Sequence, residues 1–234
     1  MIKRVKGFLK GFLLNKKSKN EAFEGDSLEY EILDHAVKRL EKPIGTSVEM
    51  GVRRGKGSKT IIDAYRKYHP NLIGHVHLGI DPYGDLVYNF SENDKGRKAD
   101  YTNSMKRDTM LGFYRYYPEF NLVNLEDKEF FLKFADGYPI YNNEKRIINS
   151  YEIVHFDGPH DFKSVMNEVD FFVKRIADHS IYIFDDIEAF DIGQVEKLLS
   201  QKNFKKLEKG KRKISFEFKK KTNYLIFFNF STTL

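Results

Sequence analysis

Acids recur in this chain at one kind of place, at or just beyond the end of a short apolar run. Glu49 lies in the run 46–50, Asp81 follows 75–80, Asp127 lies just past 120–125, Asp157 follows 152–156, and Asp185-Asp186 follow 180–184. If each run is a strand of one parallel sheet, the carboxyl ends share an edge, and acids distant in sequence converge there. Like charges so gathered repel, and the cost is offset by a cation or a positively charged ligand. Asp157, Asp185 and Asp186 sit on adjacent runs and suit a hard divalent cation such as Mg2+. Glu49, Asp81 and Asp127 suit an adenosine-containing ligand, Asp81 through a ribose diol; its alternative use is to cap the turn at Pro82. His160, three residues after Asp157, is placed to take a proton from a substrate hydroxyl, or else to cap the helix that begins near Asp161. His75, His77 and His155 lie within strands and read as structural.

The stretch 46–60, Thr-Ser-Val-Glu-Met-Gly-Val-Arg-Arg-Gly-Lys-Gly-Ser-Lys-Thr, reads as a buried strand, a glycine-rich turn and a helix start. Gly51, Gly55 and Gly57 let the backbone turn tightly and approach a ligand. The following helix aims free N–H groups over that turn. Arg54 and Ser58 belong to the same candidate loop.

Composition narrows the choices. The 234 residues, 41% hydrophobic and 32% charged, suit one globular domain with a real core. There is no cysteine, which excludes disulfides and thiolate metal sites. No apolar run is long enough to span a bilayer, and nothing reads as a secretory signal, because Lys10 interrupts the first apolar stretch. A cytoplasmic protein is expected. The net charge of +6 allows an anionic partner, but the basic residues cluster at the two ends. Residues 1–25 form a basic amphipathic segment. Either 1–20 lie on an anionic membrane surface or they pack on the domain that follows. Two glycines weaken them as a free helix.

Residues 26–234 read as a single domain. Asp26-Ser-Leu-Glu29 has capping-box spacing, and an apolar stripe from Leu28 to Leu40 follows it. Helices are expected over 57–68, 105–117, 128–135, 161–177 and 192–200. The segment 83–118 is long, polar and aromatic, as a lid or substrate loop would be. The tail offers three runs, 204–208, 214–218 and 224–230, an antiparallel end to the sheet. Its Lys-Gly-Lys-Arg turn reads as solvated edge charge.

Taken together, these residues resemble the class I S-adenosylmethionine-dependent methyltransferases, and within them the metal-dependent macrocin-type sugar O-methyltransferases. Glu49-Met-Gly51-Val52-Arg-Arg54-Gly55 is similar to that family's Glu-x-Gly-Val-x-Arg-Gly loop. Asp157-Gly158, followed by Asp185-Asp186, is similar to its magnesium triad in order and spacing. The resemblance covers about residues 26–200. It implies a Rossmann-like α/β fold with a seven-stranded mixed sheet, order 3-2-1-4-5-7-6, the last strand antiparallel and helices on both faces. It also implies S-adenosyl-L-methionine over Gly51–Gly55, Asp81 on the ribose, Asp127 near the adenine amino group, and Mg2+ on Asp157, Asp185 and Asp186 activating a sugar or other diol. A homo-oligomer is compatible with it. Alternatives are an RNA or nucleotide acceptor, or a non-catalytic partner subunit that keeps the fold. A dinucleotide oxidoreductase fits less well, because the glycines depart from Gly-x-Gly-x-x-Gly.

Overall fold

The computed structural model describes residues 23–84, 87, 101–141, 144–159 and 161–220. Strand β1 (Thr46–Met50) and strand β2 (Val76–Ile80) are buried along their whole length, as near-continuous apolar runs are when helices cover both faces of a parallel sheet. Helix α1 (Glu31–Lys38) precedes β1, and α2 (Lys56–Tyr68) links it to β2. Then come α3 (Asn103–Tyr116), β3 (Phe120–Val123), α4 (Asp127–Lys133), a hairpin of β4 (Tyr138–Tyr141) and β5 (Lys145–Ile148), and β6 (Tyr151–Phe156). The chain closes with α5 (Phe162–Phe172), β7 (Ile176–Phe184), α6 (Ile192–Gln201), β8 (Lys205–Lys209) and β9 (Ile214–Lys219).

The main sheet runs β3-β2-β1-β6-β7-β9-β8. With the separate β4–β5 hairpin set aside, this is the expected order 3-2-1-4-5-7-6. β9 runs antiparallel to β7 and to β8, while the pairings among β3, β2, β1, β6 and β7 are parallel.

Strand alternation sends neighbouring residues to opposite faces. Ile153, Ile181 and Ile183 pack with α1 and α2 through Leu33, Val37, Ile61 and Tyr65. Val154, Phe156, Tyr182 and Phe184 face the other way, onto Val165, Val169 and Phe172 of α5. Burying each such side chain is worth about 1.5–3 kcal/mol. Helix α5 begins where Asp161 accepts from the Ser164 N–H at 3.0 Å, and its final carbonyl, on Phe172, accepts from the Tyr182 hydroxyl at 2.7 Å.

Several expectations are corrected. Asp26–Glu29 forms no capping box: α1 starts at Glu31, its N-cap Tyr30 makes no side-chain cap, and Leu28 is exposed. Glu29 instead takes a positive φ and points elsewhere. The helix expected over 161–177 ends at Phe172, where one 3-10 turn, Val173–Arg175, passes directly into β7. The β4–β5 hairpin was not foreseen. The segment 1–20, the run 224–230, His160 and most of the basic part of 83–118 lie outside the described residues. No helix among the described residues is long and apolar enough to cross a membrane.

Candidate functional site

Backbone bonds bring the strand ends to one edge. The Gly51 N–H donates to Ile80 O at 2.9 Å, Asp157 N–H to Met50 O at 3.0 Å, and Asp185 N–H to Phe156 O at 2.9 Å. Each bond extends the sheet by one step and places the next acid beside its neighbour. A cleft lies over this edge. Asp26, Tyr30, Glu49, Gly51, Asp157 and Asp186 are among the residues that line it.

The loop between β1 and α2 is built to hug that edge. Gly51 has φ +79°, and a Cβ on it would overlap the Asp157 carbonyl. A Cβ on Gly57 would overlap the Glu49 carboxylate. Arg53 and Asp186 also adopt positive φ, which non-glycine residues accept at some cost, and both line the cleft.

Asp81 holds the loop in shape. Its Oδ2 accepts from the N–H groups of Val52 and Arg53, each at 2.9 Å, and its Oδ1 from Tyr83 N–H at 3.0 Å. With 1% exposure, the carboxylate faces the loop backbone, and its bond from Tyr83 N–H caps the turn at Pro82. Burial raises its pKa against these three bonds.

Glu49, also 1% exposed, ends a buried hydrogen-bond chain. Its Oε2 accepts from both the N–H (2.8 Å) and the hydroxyl of Ser58, and its Oε1 from His155 Nδ1 at 2.8 Å. Ser58 Oγ has one proton and gives it to Glu49, so it accepts from His77 Nε2–H at 2.9 Å. His77 Nδ1 then accepts from Ser47 Oγ–H at 2.8 Å, and Ser47 accepts from His75 Nε2–H at 2.9 Å. This tautomer pattern follows from donor counting. Burial draws His75 down to about 3 and His77 well below the usual histidine range, so both are neutral, as the pattern requires. Every bond in the chain points toward Glu49. Ser58, expected as a cofactor contact, is fully buried within this relay.

The expected metal triad is differently engaged. The Lys213 ammonium, 0% exposed, pairs with Asp185 Oδ2 and donates to Ser27 Oγ at 2.8 Å. Arg212 pairs with Asp186, and its Nε lies 3.2 Å from Glu188. Burial pushes Asp185 up, but His155, Lys213 and Ser27 outweigh it and hold the carboxyl below the usual range. Asp157 goes the other way, raised by burial and by the charges of Asp185 and Glu49. A divalent cation needs carboxylate oxygens free to turn toward it. Asp185 and Asp186 have each already met a cation of the chain, so the triad as arranged does not fit one. Glu49, His155 and Asp157 also approach one another, with donor atoms within 4.8 Å. Of these, Glu49 and His155 are bonded to each other. The Lys-Gly-Lys-Arg turn at 209–212 keeps Lys209 and Lys211 exposed, while its Arg212 reaches Asp186 and the next residue, Lys213, is buried beside Asp185.

Beside the cleft lies a second acid group. Asp127 is the first residue of α4, and it acts electrostatically on Glu168 of α5, as Asp161 does. Glu168 is 0% exposed, and neither of its carboxyl oxygens finds a partner among the described residues. Burial and the two neighbouring acids raise it well above the usual range. Burial likewise raises Asp127. Arg54 lines the cleft near Glu24, at 3.8 Å.

The architecture now decides the fold. It is a class I methyltransferase fold. The chain is similar to the O-methyltransferase NovP (13% identity, TM-score 0.55, 82% of this chain and 79% of that one). It is also similar to the O-methyltransferase TomG from Streptomyces achromogenes, involved in tomaymycin synthesis and solved with SAM (7%, TM-score 0.53, 82% and 79%). A third similar structure is the calicheamicin methyltransferase CalS11 (13%, TM-score 0.51, 80% and 76%). No family model matches the sequence, and no curated protein matches it.

Sequence reasoning missed Lys213, Arg212 and Ser27. An isolated lysine beside a basic turn carries no sign of burial. His75 and His77 read as structural in the sequence, which their bonds in this relay support, but the sequence does not show that the relay ends on Glu49.

Proposed function

We propose that this chain is an S-adenosylmethionine-dependent O-methyltransferase acting on a hydroxyl of a small acceptor, a sugar or another diol. The observation that carries the reading is the Gly51–Gly57 loop. It is pinned by Asp81 below and Glu49 behind, and it faces Asp157 across the cleft at the carboxyl edge of this sheet. NovP and TomG, which share the fold, are O-methyltransferases by name, and TomG holds SAM.

In this reading Gly51, Gly55 and the first N–H groups of α2 receive the methionine end of the cofactor, with Arg54 at the rim. Asp127 lies toward the adenine. Asp81 and Ser58 serve the cofactor indirectly, by fixing the loop and Glu49. The sulfonium charge is complemented by the acid-rich edge. The acceptor oxygen attacks the methyl carbon, the carbon–sulfur bond breaks, and S-adenosylhomocysteine leaves as a neutral thioether. The hydroxyl proton passes to a base at this edge, and Asp157 and His160 are the two candidates. Holding the two reactants close and in line supplies most of the rate.

Calorimetry with S-adenosylhomocysteine tests the core claim. One site per chain is expected, and Gly51→Ala should weaken it by roughly tenfold or more through the clash at φ > 0. Absence of binding to the unaltered chain would sink the proposal.

A further inference from the structure

The acids Asp157, Asp185 and Asp186 meet at one rim, an arrangement that elsewhere invites a metal. Here the β8–β9 turn delivers two cations to two of them, Lys213 to Asp185 and Arg212 to Asp186. Lys213 is not a surface side chain that happened to fold inward. Its ammonium is fully buried, lies 5.0 Å over the Tyr30 ring and donates to Ser27. The backbone that carries it is clamped as well: the Glu29 carboxylate accepts from the N–H groups of Lys211 (2.7 Å), Arg212 (3.0 Å) and Lys213 (3.1 Å). The positive φ of Glu29 belongs to this clasp. Serving those three donors turns its side chain away from the helix start that the sequence suggested.

We infer that the Lys213 ammonium, locked by Ser27 and the Glu29 clasp, takes the place of a divalent cation at this edge, and that the protein binds no metal there. The charge balance is already closed, since Lys213 and Arg212 neutralise Asp185 and Asp186. A dication must therefore displace a buried ammonium and leave it without a partner, which is costly. An ammonium also does different chemistry. It donates hydrogen bonds but cannot chelate a diol, so the acceptor must be oriented by protein groups around the cleft. The inference does not depend on the methyltransferase reading.

The experiment strips the full chain with EDTA and titrates Mn2+, with free ion read by electron paramagnetic resonance. The unaltered chain should leave Mn2+ free up to about 1 mM, the weak end of oxygen-ligand sites. Lys213→Met removes the competing charge and should bind Mn2+ roughly tenfold or more tightly than the unaltered chain. Adding Asp185→Asn should abolish the gain. If Lys213→Met melts too low to titrate, melting with and without Mn2+ replaces the titration, and a Mn2+-dependent rise in Tm supports the inference. One Mn2+ held per unaltered chain and released by Asp185→Asn would overturn it, as would a Lys213→Met chain that gains neither Mn2+ binding nor Mn2+-dependent stability. S-adenosylhomocysteine calorimetry is run in parallel. Its failure would count against the proposed function and leave the Mn2+ result standing.

Discussion

Two groups of acids flank β6 at the same sheet edge, and they solve the problem of burial in opposite ways. Asp185 and Asp186 are each met by a cation, Lys213 and Arg212, and the Asp185 carboxyl is held below the usual range. Glu168, with Asp127 and Asp161 nearby, has no such partner, and burial with like charge drives it toward the protonated form. A buried carboxyl with neither a cation nor hydrogen-bond donors to match it tends to give up its charge. One fold edge shows both outcomes, and the choice rests on which neighbouring turn carries a lysine.

The largest effect should come from breaking the matched side. Lys213→Met leaves Asp185 buried and unpaired and should cost about 3–5 kcal/mol in urea unfolding, the range for breaking a buried pair. Lys213→Met with Asp185→Asn should recover most of that loss. A cost under about 1 kcal/mol would place the pair with ordinary surface bridges.

The unmatched side should respond in the opposite direction. Because the folded pKa of Glu168 is raised, the native state keeps its proton while the unfolded chain sheds it near the ordinary glutamate value. Stability therefore falls as pH rises from that value toward the folded one. Glu168→Gln removes this loss. It should stabilise the protein by about 1–3 kcal/mol at pH 8, with the gain fading toward roughly pH 4. A gain independent of pH would mean that Glu168 does not titrate as described. The smallest effect belongs to Arg212→Ala. Its pair with Asp186 is partly solvated, so the cost should stay below about 1 kcal/mol and shrink further in high salt. A larger loss would make Arg212 a second buried anchor and sharpen the likeness to Lys213.

Much of the fold could be read because its cues are local. Thr46–Met50 and Val76–Ile80 are apolar runs bounded by turn residues, and the α5 stripe has helical period, so the strand ends followed from them, while the sheet order came from the family resemblance. The β4–β5 hairpin was lost because Lys145-Arg-Ile-Ile lacks clean alternation, although Asn142-Asn143 between two β-prone runs is a turn signal. In the site, types and positions were legible, but pairings were not. Glu29 looked like a helix cap because Asp26 stands three residues before it, yet it bonds to Lys211–Lys213, far away in the chain. Asp185-Asp186 looked like metal ligands because the cations that meet them arrive from the distant β8–β9 turn. Spacing reports which groups face an edge; it does not report what long-range partner reaches them first.

The clasp also sets an order of assembly. Ser27 and Glu29 are made early and Lys213 late, with Asp185 emerging between them and β9 inserting between β7 and β8. A ribosome partway through this chain therefore holds a sheet whose rim is still electrically open. The closing counter-charge comes with the β8–β9 turn, so the nascent polypeptide balances this rim only after β8 has been made.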